Sequence, residues 1–232
     1  MFNGKMKAVT FSFDDGVTQD IRLIEIFDKY GLKCTFNINS ELLGKKGELE
    51  YGDRKCTHNK VKASEVASIY KNHEVAVHTL THPNLTQISD EKEIIRQVEK
   101  DRLNLSELCG YEVFGMAYPC GGVNNDDRVA KIIKENTGVK FSRTITSNFS
   151  FDKQENLYRF NPTVYSFREF DKMNALADEF LTMTPETPKI FYIWAHAYEF
   201  DFFDTWNEFD AFCAKIAGKD DIFYGTNSQV LL

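Results

Sequence analysis

Short apolar runs and helical-period segments alternate along nearly the whole chain. Ala8–Phe13 has the length and bulk of a buried strand, and Thr18 stands where it would cap a helix. In that helix Leu23, Ile24, Phe27 and Tyr30 share one face, and Gly31 closes it. Cys34–Asn39 returns as a strand, and residues 40–62 form a long polar, glycine-containing excursion of the kind that often shapes a site. Ser64–Lys71 predicts a short helix and Glu74–His78 a strand. Asp90–Leu108 predicts one long charged helix, with Asp90 and Glu93 at capping-box spacing. Strands are then expected at Val113–Tyr118, Val139–Arg143, Lys189–Ala195 and Ile222–Gly225. Helices are expected at Asp126–Glu135, Arg168–Leu181 and Asp204–Ile216. Strand–helix alternation implies a parallel sheet, and this many units suggest closure into a barrel whose strand C-termini share one face. Asp14, His78, Pro119 and His196 all fall at such ends.

Composition narrows this picture. The 232 residues are 42% hydrophobic, with 20 Phe and 10 Tyr, enough for one substantial core. No repeat or flexible linker divides them, so one domain over 1–232 is expected. A net charge of −7 leaves no basic stripe for a nucleic-acid backbone. The five cysteines (Cys34, Cys56, Cys109, Cys120 and Cys213) are odd in number and form no CxxC pair, which argues against a disulfide framework or zinc ribbon. No apolar run approaches the roughly 20 residues of a membrane span. No signal peptide is visible ahead of the first strand, so a cytoplasmic location is the expectation; a secreted chain with its leader removed would read the same.

The chemistry-bearing residues are few. Asp14-Asp15-Gly16 follows the first strand, and His78 and His82 stand four apart around the end of another. Asp-Gly alone is a turn signal. Adjacent carboxylates at a strand end, however, point to different sides, and Gly16 permits a sharp turn. Val75 and Val77 lead strand-like into His78, while Pro83 biases His82 away from helical geometry. Two imidazoles and one carboxylate with an open position suit a catalytic divalent metal, and a second carboxylate is then free to move protons. Zinc is the default ion, with manganese, cobalt, nickel and iron left open.

Four ordered motifs carry a resemblance to a known family. They are Phe13-Asp14-Asp15-Gly16, His78-x-x-x-His82, Tyr118-Pro119-x-Gly121 and Ile193-x-x-His196. In this order they resemble the polysaccharide deacetylases, the NodB-homology domain of carbohydrate esterase family four, over Thr10 to about Asn227. The resemblance implies a distorted (β/α)7 barrel with one divalent metal that removes N- or O-acetyl groups from sugars. It implies Asp15, His78 and His82 as metal ligands, Asp14 as general base and His196 as general acid. The backbone N–H of Cys120 is the implied oxyanion donor. Acid and base would come from distant strands and flank the reacting carbon.

Two departures stand out. Ala117 replaces an arginine that in many members steadies the base, and Arg143 at the next strand end is the candidate to supply that charge, a surface arginine being the alternative. The family's Asp-and-Trp motif has no clear counterpart. Tyr118, Trp194 and Tyr198 are candidate pocket residues, and Glu199 either orients His196 or faces solvent. His58, His73 and Cys56 are expected to be structural. The expected partner is an acetylated saccharide, with no nucleic acid and no membrane. The rival readings are an amidohydrolase acting on a ring amide and a non-catalytic carbohydrate-binding relative.

Overall fold

The computed structural model describes residues 2–232. In chain order its main elements are β1 (Lys7–Asp14), α1 (Asp20–Tyr30), β2 (Cys34–Ile38), a hairpin of β3 (Glu48–Tyr51) and β4 (Arg54–Thr57), α2 (Val66–Ile69), β5 (Glu74–Val77), α3 (Glu91–Ile95) and α4 (Asp101–Cys109). There follow β6 (Gly115–Ala117), α5 (Asp127–Asn136), β7 (Phe141–Arg143), β8 (Val164–Tyr165), α6 (Phe170–Thr182), β9 (Lys189–His196), α7 (Tyr198–Phe203), α8 (Trp206–Ile216), β10 (Ile222–Tyr224) and α9 (Asn227–Leu231).

Seven strands run side by side in the order β7-β6-β5-β2-β1-β9-β8, and β10 pairs with the start of β1. Every pairing in this sheet is parallel. The sheet curls, and the chain from Phe160 to Val164 joins its two edges: Phe160 bridges Arg143 of β7, and Val164 pairs with Ile193 of β9. The fold is the distorted (β/α)7 barrel expected from the sequence.

Period-two alternation decides which face each residue takes. Val9, Phe11 and Phe13 of β1 face out into the layer beneath the helices, where Phe27, Phe200 and Phe209 pack with them. Ala8, Thr10, Ser12 and Asp14 face the barrel axis. The floor of that interior is apolar, built from Phe2, Ala8, Phe141, Phe160, Ile190, Val230 and Leu231, with α9 as its plug. Above it the interior turns polar. Thr10 Oγ1 lies 2.8 Å from Asn227 Oδ1, and Asn227 Nδ2 donates to the Tyr192 hydroxyl at 2.6 Å. The top of the barrel ends on Asp14.

Several local expectations are corrected or filled in. Thr18 does not cap α1: the helix starts at Asp20 with Gln19 in the cap position, and the Thr18 hydroxyl lies 3.4 Å from Gln19 Oε1. The excursion over 40–62 holds the β3–β4 hairpin, which docks on α7 through Arg54, whose guanidinium donates to Phe202 O at 2.7 Å. The long charged helix is interrupted by a π-helical stretch at Arg96–Lys100. Its capping box is half formed: Asp90 accepts from Lys92 N, while Glu93 binds Arg96 and Gln97. Finally, β8 and α7 arise where the sequence pattern predicted no element, and α8 starts at Trp206 rather than Asp204.

Candidate active site

Asp14 and Asp15 diverge because the backbone reverses between them. Asp15 N donates to Asn37 O (2.9 Å), then Asp15 and Gly16 both take positive φ, 87° and 62°. A Cβ on Gly16 would meet Ile38 Cγ2 at 2.7 Å, so only glycine fits there. Asp14 points inward, where Asn37 Nδ2 donates to Oδ1 at 2.8 Å. Asp15 points across to the excursion, within 3.2 Å of His58 Nε2 and 3.3 Å of Lys60 Nζ.

The histidine pair is held from behind. His78 Nδ1 lies 2.9 Å from Ala117 O, the geometry of an N–H donor, which leaves the Nε2 lone pair free. Asp101 at the start of α4 accepts His78 N (3.2 Å) and Ser40 N (2.8 Å). The π-helical stretch turns Gln97 toward the loop after His78, where Gln97 O accepts Leu80 N (3.0 Å) and Gln97 Oε1 accepts Thr81 N (3.2 Å). Thr79 and His82 are left-handed (φ 68° and 64°), and such strain in non-glycine residues concentrates at functional sites. Burial pushes the His78 imidazole down to about 4 and lowers His82 too, so both are neutral. Ligand atoms of Asp15, His78 and His82 all lie within 4.8 Å of one another.

Arg143 is not a surface arginine. It is fully buried, its Nη2 stands 2.5 Å from both Asp14 oxygens, and its Nε donates to Ser12 Oγ at 3.1 Å. Its guanidinium lies 4.5 Å from the Trp194 ring centroid. Burial alone would raise the Asp14 carboxyl; the Arg143 charge and hydrogen bonds outweigh it and hold Asp14 below the ordinary carboxylate range.

His196 ends β9. It pairs in register with Asp14, since β1 and β9 are neighbours in the sheet; the expectation of acid and base on distant strands is corrected. Glu199 is buried rather than solvent-facing. Its Oε1 lies 3.2 Å from His196 Nδ1, an ion pair off the ideal hydrogen-bond direction, and its Oε2 accepts His196 N at 3.0 Å. Tyr165, stacked on Trp194, donates its hydroxyl to the same carboxylate. Burial opposes the charged imidazole, yet Glu199 prevails and raises His196 to about 9.

These groups share one cavity of about 490 Å³, lined by Asp14, Asp15, His78, His82, His196 and Glu199, with Cys120, Trp194 and Tyr198 on its walls. Arg143 sits beneath Asp14 rather than on the lining. Cys120 has φ 70°, and among the described residues no acceptor takes its N–H. Tyr118 borders the cavity, but its ring belongs to the core and its hydroxyl donates to Tyr158 O (2.8 Å), so its phenol is already engaged. The Trp194 Nε1 is buried with no acceptor among the described residues.

A sequence model described as polysaccharide deacetylase matches residues 3–140, more than half of the chain. The chain belongs to the polysaccharide deacetylase family. The match takes in Asp14, Asp15, His78, His82 and Cys120 but ends before Arg143 and His196, whose positions come from the fold. No curated protein matches. Among solved structures the chain is similar to the Bc1960 peptidoglycan N-acetylglucosamine deacetylase, with 16% identity over 98% of this chain and 88% of that one, TM-score 0.57. It is similar to the peptidoglycan deacetylase PdaC from Bacillus subtilis, with 16% identity over 97% and 90%, TM-score 0.54. It is also similar to BA3943, a CE4 family pseudoenzyme from Bacillus anthracis, with 18% identity over 97% and 66%, TM-score 0.53. At such identities these likenesses concern the fold.

Sequence reasoning missed several residues of this deacetylase-family site. His58, expected to be structural, lies against Asp15, and Lys60 beside it donates to Asp15 O at 2.7 Å. His73 does lie elsewhere, accepting Cys34 N at 3.2 Å, and Cys56 is buried on β4 but not on the cavity lining. Thr35 and Asn37 in a fully buried strand were the available signal for a polar barrel interior. Nothing in the sequence pattern pointed to Asp101, Gln97 or Tyr165.

Proposed function

We propose that this polysaccharide deacetylase family member hydrolyses acetyl groups, N-acetyl foremost, from a saccharide, using one divalent ion, an aspartate base and a histidine acid. One observation carries the reading. An ionised carboxylate, a protonated imidazole and a set of unprotonated metal donors line the same cavity.

The donor set fits a cation. Both imidazoles are neutral, His78 has Nε2 free, and the Asp15 carboxylate is ionised despite its burial. Asp15, His78 and His82 would hold the ion, with zinc first among the candidates. Bound there, a divalent ion supplies Lewis acidity that polarises the acetyl carbonyl and acidifies water.

The remaining work falls to the chain. Asp14 Oδ2 takes a proton from the attacking water, and Arg143 with Asn37 keeps the carboxylate charged and aimed. The unpaired Cys120 N–H is oriented as a donor to the oxyanion that develops. His196 gives its proton to the leaving nitrogen, which is too basic to depart unprotonated. Trp194 and Tyr198 wall the pocket.

A non-catalytic reading has one observation in its favour, the missing arginine at Ala117. Arg143 removes its force by supplying the same charge from β7. The deciding experiment measures acetate release from chitotetraose alongside elemental analysis. Asp14→Asn is expected to cut turnover by ~10²–10⁴ with metal content unchanged. Near-normal turnover in Asp14→Asn would sink the assignment of the base.

A further inference from the structure

Asp15, His82 and Tyr198 are walls of two cavities, the catalytic one and a second of about 400 Å³ on their other side. The second is enclosed by the excursion that follows β2. Leu42, Leu49 and the Tyr198 ring give it apolar surfaces, and Lys45, Lys46 and Lys60 bring cations. Asp15 is the only carboxylate on its lining, and Lys60 is committed to it. Lys45 and Lys46 are exposed, and the nearby carboxylates are engaged elsewhere: Glu48 and Glu50 with Lys55, Glu41 with Arg96.

The lysines do not ride on a loose loop. Gly44 N donates to Val61 O (2.9 Å), Lys60 N to Lys45 O (2.9 Å) and His58 N to Gly47 O (2.8 Å), zipping residues 44–47 onto 58–61. A chain of net charge −7 thus holds, on a pinned segment beside the cavity, two lysines with no ion-pair partner among the described residues. The lining suits a pyranose whose carbon face packs on Tyr198 and the leucines, with an anionic substituent reaching the ammonium groups.

We propose that this cavity is a subsite for a sugar bearing a carboxylate or phosphate, next to the sugar that loses its acetyl group. The inference rests on the deacetylase reading, and its test separates the two. Binding of chitotetraose, 6-phosphorylated chitotetraose and a hyaluronan tetrasaccharide is measured by calorimetry with the zinc-loaded Asp14→Asn protein, which spares the ligands from turnover. The anionic ligands are expected to bind about 5–10-fold more tightly at low salt, the span two exposed charge contacts supply. The advantage should shrink with added salt and fall to near parity in a Lys45→Ala/Lys46→Ala protein. Whichever anion gains more identifies the substituent. Equal affinities for neutral and anionic ligands, or a preference that survives the double substitution, overturn the subsite. Acetate release by the parent protein is assayed in parallel. Its absence together with a lysine-dependent preference would remove the deacetylase reading and leave the subsite standing.

Discussion

At the scale of single residues, the site depends on charges that bury each other. Asp14 and Arg143 are both inside the barrel, and each charge offsets the burial cost of the other. His196 and Glu199 form the second such pair, and it sets a measurable property. Burial favours the neutral imidazole, but Glu199 raises His196 to about 9, so the acid stays loaded at neutral pH. A general acid works below its pKa and fails as pH rises through it. Glu199→Gln removes the charge, keeps the shape, and leaves only the weaker effects of the Asp15 and Asp14 charges to oppose burial. The alkaline limb of kcat/KM should therefore move down by roughly 1–2 pH units. A limb that stays in place while the rate merely drops would mean that Glu199 is only structural. The sequence displayed His196 and Glu199 three apart but not their contact, because a strand end followed by a helical turn brings them together only once α7 forms. Arg143 was legible as a charge at a strand end; that it reaches Asp14 depends on how far the sheet curls.

Among the elements, those built on apolar runs were readable and those set by tertiary contact were not. β1 and β9 announced themselves as apolar runs, and each ends on a residue of the cavity, Asp14 and His196. The π-helical stretch at Arg96–Lys100 barely disturbs the helical pattern, yet it aims Gln97 at the loop of His82. β8 spans only two residues and exists because Val164 and Tyr165 pair with β9. The start of α1 also carries a cost the pattern hides. Asp20 is wholly buried; its Oδ2 accepts the Tyr70 hydroxyl (2.7 Å), but its Oδ1 has no partner among the described residues. Burial raises its carboxyl from the ordinary value to about 8. The native state therefore holds this proton longer than the unfolded chain. Its contribution is fully present at low pH and is lost as pH climbs toward 8, by up to about 1.4 kcal/mol per pH unit. Asp20→Asn cannot ionise, so its Tm should match the parent near pH 4 and exceed it by roughly 10–20 °C at pH 8, since four pH units at that slope come to about 5–6 kcal/mol and a chain of this size gains about 2–4 °C per kcal/mol. Melting curves across that range check it, and a constant difference at all pH values would mean that Asp20 is already charged in the fold.

For the whole molecule, the decisive feature is that two chain segments about sixty residues apart meet at one point. Asp15 comes from the tip of β1, His78 from the tip of β5 and His82 from the loop behind it, braced by Asp101 and Gln97. The unfolded chain has no such cluster, so an ion held there binds the native state alone and its binding energy becomes folding energy. At an ion concentration of about 100 times Kd the gain is about 2.7 kcal/mol. For a protein of this length that raises Tm by roughly 5–10 °C. Chelator-treated protein titrated with zinc, and in parallel with manganese, cobalt, nickel and iron, should show this rise, largest for the ion that belongs. His82→Ala should melt at one temperature with or without the ion, while Asp14→Asn should keep the full rise if, as proposed, Asp14 serves the proton and not the cation. This pairing of variants distinguishes ligand from base without any substrate present. A melting temperature indifferent to every ion and to chelator would show that Asp15, His78 and His82 come together for some purpose other than metal.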